Sequence, residues 1–318
     1  MPDLDRVLEA QIAAVDRRVG RRGPYRHEAR EIRRAADAVP ILRSRLGLGN
    51  FLGSLSPDTG KPQYVLLFEA ADASTSVLKV YGRVTPAEGA VQKRWTDNGL
   101  SCVPTRDHGD DPVSWLQMDY VAGLSLDRTE GWDLKEVTAS VADFCHQAHQ
   151  TDPPDEASST LAEGVSRHLQ VVTSALNERA YSLPSGWEEC SEMVYASGVP
   201  KLLHGDLFPG NIIQTDDGSL SVIDARGYLG DPAFDLARWV VRIAPADLTE
   251  KLVGVWMKHE SIDSTVLDGM LAVEFLMQAG VRELTKRERG EEHKLTDKRT
   301  MRYLKQASLY LQRWNTRL

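Results

Sequence analysis

The stretch HGDLFPGNIIQTDDGSLSVIDARGYLGDPAFDLA, His204–Ala237, decides how this chain reads. Within it, NIIQT has the composition of a strand, Asp216-Asp217-Gly218 the chemistry of a tight turn, and SLSVID that of a returning strand. A hairpin of that length carries Asp224 back beside Asn211, with Asp206 just ahead of the first strand. Two carboxylates and an amide then gather at one end of the hairpin. Hard oxygen donors of this kind suit Mg2+, which completes its coordination with water and phosphate oxygens. Phosphoryl transfer needs such a cluster, because the protein's task is to hold the metal on the phosphates and aim an attacking oxygen.

Four residues separate Asp206 from Asn211, the spacing of the protein-kinase catalytic loop H-R-D-x-x-x-x-N, with Gly205 in place of its Arg. HGD, a loop closed by Asn211, a strand ending in Asp224 and then GDPAFDLA together resemble the aminoglycoside phosphotransferase and choline kinase-like family. In motif style IDARGYLGDPAFDLARWV is most similar to that family's streptomycin 6-kinase and hydroxyurea kinase branch. The block spans about a tenth of the chain, and its motifs are specific in combination. The resemblance implies Asp206 as catalytic base or hydroxyl-orienting carboxylate, and Asn211 and Asp224 as ligands of Mg2+. It implies ATP or GTP as phosphate donor and a small-molecule hydroxyl as acceptor. The implied fold is α+β and protein-kinase-like, with a small antiparallel-sheet N-terminal lobe and a larger, mostly helical C-terminal lobe.

Composition agrees with an enzyme of two lobes. At 318 residues and 42% hydrophobic, the chain can bury a full core. Its net charge of −8 argues against nucleic acid as a partner and is compatible with a cationic substrate, or simply with solubility. Cys102, Cys145 and Cys190 are far apart, as buried thiols in a reducing cytosol would be. The start, MPDLDRVLEAQIAAV, has acidic residues and helical periodicity in place of a signal peptide's basic and apolar regions. No uncharged apolar run is long enough to span a membrane. The expectation is a cytoplasmic protein, monomer or homodimer.

Outward from the motif, Leu4, Val7, Leu8, Ile12 and Val15 recur at helical intervals, and the basic run Arg17–Arg34 reads as a solvated face. FLGSLS, QYVLLFEA and SVLKVY read as strands of an antiparallel sheet, followed by a helix from Thr85 to about Trp95 and a strand pair within Cys102–Val121. From Asp133 onward the pattern is helical apart from the hairpin. Residues 1–119 therefore form an N-terminal, nucleotide-binding lobe that includes a helical extension. Residues 120–318 form a helical lobe with the catalytic loop, the metal site and the acceptor-binding helices.

Lys79, in SVLKVY, resembles the strand lysine of V-A-I-K that contacts nucleotide phosphates. The resemblance pairs it with Glu88, although Thr85-Pro86-Ala87-Glu88 is also a good capping box. Two stretches are candidates for the loop over the phosphates, Gly47–Gly53 and Ser56–Lys61, and either could be an ordinary turn. A Walker A reading of Gly60-Lys61 fails, since Pro62 stands where Ser or Thr must ligate Mg2+. Trp115–Gly123 resembles the family's hinge, which would turn the Asp119 carbonyl and the Val121 amide toward a purine edge, with Met118 behind the base or simply in the core.

Other residues read as scaffold. The resemblance implies that His204 braces the loop, and Asp231 and Asp235 read as capping a helix and tying down the loop in preference to ligating metal. Arg226 contacts phosphate or substrate, or pairs with an acidic neighbour. His146 and His149 read as helix surface and packing. Glu274 and Glu283 interrupt an apolar stripe, as ligands for a substrate ammonium or hydroxyl or as internal salt bridges. A small-molecule kinase acting on an antibiotic or amino sugar, in resistance or biosynthesis, is the leading reading. Its alternative is a nucleotide-binding pseudokinase without acceptor turnover.

Overall fold

A computed structural model describes residues 3–21, 27–55, 63–82, 87–243, 246–288 and 297–318. The chain divides into two compact units, Met1–Ala122 and Gly123–Leu318.

In the first unit, helices α1 (Leu4–Arg21) and α2 (Glu28–Arg45) precede strands β1 (Phe51–Ser54), β2 (Gln63–Glu69) and β3 (Thr75–Tyr81). Helix α3 (Glu88–Asp97) follows, then β4 (Thr105–Gly109) and β5 (Trp115–Asp119). The five strands form one antiparallel sheet in the order β1-β2-β3-β5-β4. Strand β2 alternates strictly between buried and half-buried residues, the period of a sheet with one face on the core. Tyr64, Leu66 and Phe68 from β2 join Leu78 and Val80 from β3 against Ile32, Ala35, Val39 and Leu42 of α2 and Leu8 and Val15 of α1. Strand β3 lies between two partners and is buried nearly throughout, Lys79 included. Close packing at its end demands glycine: a Cβ on Gly82 would meet the Glu31 carbonyl of α2 at 1.7 Å.

The second unit begins with β6 (Gly123–Ser125), which joins the hairpin strands β8 (Ile212–Thr215) and β9 (Leu220–Val222) in a three-stranded sheet. Helices α4 (Leu134–His149), α5 (Leu161–Glu178) and α6 (Trp187–Tyr195) lie between β6 and β7 (Lys201–Leu202), which pairs with β10 (Leu229–Gly230). Asp133 caps α4, and Thr160 with Glu163 forms a capping box on α5. Helix α7 (Ala233–Ile243) is buried on all sides from Ala233 to Val241, and α8 (Thr249–Trp256) follows it. The 25-residue helix α9 (Ser264–Glu288) packs against α5, α6, α7 and α10 (Lys298–Arg317) and forms the spine of this unit. No helix of the described residues is long and apolar enough to cross a membrane, and the three cysteines are buried free thiols.

The two candidate phosphate loops have different fates. Gly47 ends α2, donating its N–H to the Ser44 carbonyl at φ +60°, and the rest of Gly47–Gly53 runs into β1. That stretch is a helix terminus followed by a strand. Ser56–Lys61 lies outside the described residues, as do Thr85 and Pro86. The helix expected from Thr85 starts at Glu88 among the described residues, and its N-cap, Ala87, makes no side-chain cap.

Candidate active site

The loop that carries Asp206 leaves β7 at Leu203 and is fixed by a chain of buried polar groups. The Asp206 N–H donates to His204 Nδ1 at 3.2 Å, so the other ring nitrogen carries the proton and donates to the Ile223 carbonyl at 2.9 Å. Burial pushes the His204 imidazole down, in keeping with that neutral tautomer. His204 thus ties the loop to the end of β9. The Asp235 carboxylate, on α7, accepts from the His204 and Gly205 amides at 2.8 and 2.9 Å. Gly205 has φ +78°, and a Cβ there would strike Tyr228 at 2.7 Å.

Asp235 is held in turn by His149 Nε2 of α4 at 3.2 Å, while His149 Nδ1 meets both oxygens of Glu260 at 3.0 and 2.9 Å. Burial disfavours the imidazolium, but the bonds to Asp235 and Glu260 outweigh it and raise His149 to about 9. His149 is therefore packed between two carboxylates that favour its imidazolium form; of the expected helix surface and packing, it is packing that holds. Cys145 lies in the same cluster, with ligand-type atoms within 4.8 Å of those of His149 and Asp235. Both ring nitrogens are already committed to carboxylates, so the arrangement braces the loop.

The hairpin forms as the turn chemistry requires, with Ile212 opposite Val222 and Gln214 opposite Leu220. Asn211 closes the loop before it. Its side-chain NH2 donates to the Asp206 carbonyl at 2.8 Å, and its own carbonyl accepts from the Ile223 amide at 3.0 Å. With the NH2 spent, the Asn211 side-chain oxygen is left as an acceptor. The Ile223 bond brings Asp224 alongside, and Asp224 holds the left-handed conformation at φ +64°. A non-glycine residue there costs on the order of 1 kcal/mol, a strain that concentrates at functional sites. An amide oxygen and a carboxylate are the hard donors that Mg2+ takes, so these residue types fit the expected ion.

Asp206 itself stands among three arginines. Arg238 and Arg242 of α7 bond its Oδ1 at 2.9 and 3.1 Å, and Arg226 lies 3.7 Å from Oδ2. Burial by itself would raise this carboxyl, but Arg238, then Arg242 and Arg226, hold it well below the usual carboxylate range. Arg238 also bonds Glu274 of α9 at 2.8 Å, which gives Glu274 an internal partner. Glu283 is engaged internally too, by Lys286 at 3.0 Å, Arg179 at 3.4 Å and Thr300 at 2.5 Å. Asp231 caps α7 through the Ala233 amide at 2.8 Å.

The first unit carries the remaining expected residues. Lys79 Nζ and Glu88 Oε1 are 2.6 Å apart, with side chains only 3% and 5% exposed. Glu88 thus spends its carboxylate on the lysine. Met118 is buried, with its sulfur 3.4 Å from Gln92 Nε2. The Asp119 amide donates to the Pro104 carbonyl at 2.9 Å, and Arg106 takes up its carboxylate. Val121 follows, half-buried, at the end of the unit.

Sequence reasoning missed Arg238, Arg242 and Glu260, and gave His149 no part in bracing the loop. A signal for the arginines existed: Asp235, Arg238 and Arg242 recur at helical spacing on one face of an otherwise apolar segment. Nothing local marks the partnership of His149 with Glu260, which are 111 residues apart.

Residues 6–270 match the model of a family described as "Phosphotransferase enzyme family". No curated protein sequence matches significantly. Among solved structures, amicoumacin kinase hAmiN in complex with AMP-PNP, Ca2+ and Ami aligns with a TM-score of 0.57 at 15% identity, over 86% of this chain and 93% of that one. The choline kinase LicA from Streptococcus pneumoniae aligns at 0.52 and 16%, over 86% and 97%. A thermostable mutant of aminoglycoside phosphotransferase APH(4)-Ia, with ADP and hygromycin B, aligns at 0.51 and 16%, over 84% and 97%. At these identities the likeness is one of fold.

Proposed function

The chain belongs to the phosphotransferase enzyme family, and from that premise we propose that it is a Mg2+-dependent kinase acting on a hydroxyl of a small molecule. The observation that carries this reading is the triad around the hairpin. Asn211 donates to the Asp206 carbonyl and accepts from the residue before Asp224, so a hydroxyl-facing carboxylate and two metal-type donors belong to one hydrogen-bonded structure. ATP or GTP is the donor. Solved relatives of like fold that hold AMP-PNP with Ca2+, or ADP, support a nucleotide and a divalent cation.

In this reading Lys79, steadied by Glu88, holds the nucleotide phosphates, and the backbone of Asp119 and Val121 receives the base, with Met118 beside it. Asn211 and Asp224 hold Mg2+, which when bound neutralises charge on the transferring phosphoryl group. Asp206 accepts a hydrogen bond from the acceptor hydroxyl. Its depressed pKa makes it a weak base, so it aims the oxygen more than it removes the proton. The acceptor oxygen forms the new P–O bond, and the bond from γ-phosphorus to the bridging oxygen breaks. The nucleoside diphosphate leaves with that electron pair, and the hydroxyl proton is lost late, to Asp206 or water.

Asp206→Asn is expected to lower kcat by about 10²–10⁴-fold while Mg-nucleotide affinity is kept. Asp224→Ala is expected to weaken Mg-nucleotide binding itself. Calorimetry with Mg-ATP and Mg-GTP, followed by nucleoside diphosphate release over a panel of hydroxylated antibiotics, amino sugars and hydroxy acids, measures both. Wild-type activity in both variants refutes the assignment. Nucleotide binding with no turnover across the panel favours a pseudokinase.

A further inference from the structure

The acceptor side of Asp206 has a charge pattern that the sequence motifs do not announce. Arg238 and Arg242 stand one turn apart on α7 and share a single oxygen of Asp206, with Arg226 close to the other oxygen. On α9, Glu283 is engaged by Lys286, Thr300 and Arg179, while Glu274 gives one oxygen to Arg238 and its other oxygen has no hydrogen-bond partner among the described residues. Burial and then the neighbouring Arg238 push the Arg242 guanidinium below its usual range, whereas Glu274 and Asp206 outweigh burial and raise Arg238, so the crowding falls on Arg242. Nε of Arg238, in a side chain 9% exposed, and Nε of Arg242 have no hydrogen-bond partner among the described residues. His168 beside them is pushed down by burial and by Arg238, which disfavours a further positive charge there. The Phe208 ring lies 5.1 Å from the Arg242 guanidinium and gives it an apolar shoulder.

Guanidinium groups on a rigid helix match the oxygens of carboxylate and phosphate, and they repel an ammonium. Resting on the kinase reading above, we propose that the acceptor is an anionic alcohol, with a carboxylate or phosphate near the hydroxyl that Asp206 receives, and that Arg242 and Arg226 hold that anion. Such a ligand would relieve the crowding of guanidinium groups while placing its hydroxyl against the carboxylate.

The test uses the full chain saturated with Mg2+ and AMP-PNP, titrated with gluconate and glucose 6-phosphate as carboxylate and phosphate probes. Choline and kanamycin serve as cationic counterparts. The same compounds are then offered with Mg-ATP while ADP release is followed. At least one anion is expected to bind, the cations are not, and Arg242→Gln is expected to weaken anion binding about tenfold, the loss of one charge-assisted hydrogen bond. Arg242→Lys should recover part of that loss, and Mg-AMP-PNP affinity should stay constant. Arg226→Gln, at a more exposed position, repeats the test without disturbing a buried group. Binding of the cations alone, no anion binding by wild type, or anion binding indifferent to both Gln variants overturns the inference and leaves the kinase reading intact. A loss of Mg-AMP-PNP affinity in Arg242→Gln with anion binding unchanged assigns that arginine to the donor and overturns it as well. Wild-type protein that does not bind Mg-AMP-PNP sinks the kinase reading, and the anion assignment with it.

Discussion

A lysine ammonium and a glutamate carboxylate, buried 2.6 Å apart as Lys79 and Glu88 are, form a pair that is costly to leave half made. Glu88→Gln strands the cation in a buried site. It is expected to destabilise the first unit by roughly 3–5 kcal/mol in urea unfolding, besides weakening nucleotide binding. Replacing both residues, as Lys79→Met with Glu88→Leu, should restore most of the stability and none of the nucleotide affinity. Equal stability of Glu88→Gln and wild type would show that the pair does not hold in solution. Asp206 makes the converse point. Its carboxylate stands among three guanidinium groups, two of them on α7 and outside the loop sequence. Of the two expected roles, base or hydroxyl-orienting carboxylate, they favour the second in the proposed reaction.

Elements meet at the loop that carries Asp206 through His149. Helix α4 supplies the imidazolium, α7 supplies Asp235, and Glu260 follows α8, so packing of these elements reaches the His204 and Gly205 amides by one chain of bonds. Because the folded-state pKa of His149 is raised from 6.5 to about 9, the stability it contributes is fully present below about pH 6.5. That contribution is lost as pH rises through about 9. The full term is on the order of 3 kcal/mol. His149→Gln should therefore melt well below wild type under mildly acidic conditions, with the gap narrowing as pH climbs past that value. A gap independent of pH means that His149 is neutral in the folded protein. At the start of α7, Asp231→Ala removes an N-cap and should cost about 1 kcal/mol.

For the molecule as a whole, the family match ends at residue 270, yet α9 runs on to Glu288 and α10 covers its face. Leu304, Ala307, Tyr310, Leu311 and Trp314 are the buried stripe of α10, and Tyr310 stacks on Phe275 of α9 with ring centroids 5.7 Å apart. The helix is amphipathic and needs that partner to be stable. Trp314→Ala is expected to cost roughly 3–5 kcal/mol and to lower the melting temperature of the second unit. Mg-nucleotide affinity measured on the remaining folded protein should be unchanged. A neutral effect would mean that α10 is dispensable for the fold.

The α+β class, the antiparallel sheet and the hairpin were legible in the sequence because each rests on local chemistry. Period-2 burial in QYVLLFE, the Asp-Asp-Gly turn and helical recurrence in LDRVLEAQIAAV are properties of neighbouring residues. The hydrogen-bonded link from Asp206 through Asn211 to the residue before Asp224 was legible for the same reason, since one short loop and one hairpin make it. Whether Glu88 caps a helix or meets Lys79, whether Glu274 waits for a substrate or meets Arg238, and what charge surrounds Asp206 were decided only by tertiary structure. Those outcomes depend on which long side chains the packing of α3, α7 and α9 brings within bonding distance, and on how deeply it buries them. Neither quantity is local to the sequence, and burial is what turns a modest Coulomb attraction into a fixed partnership.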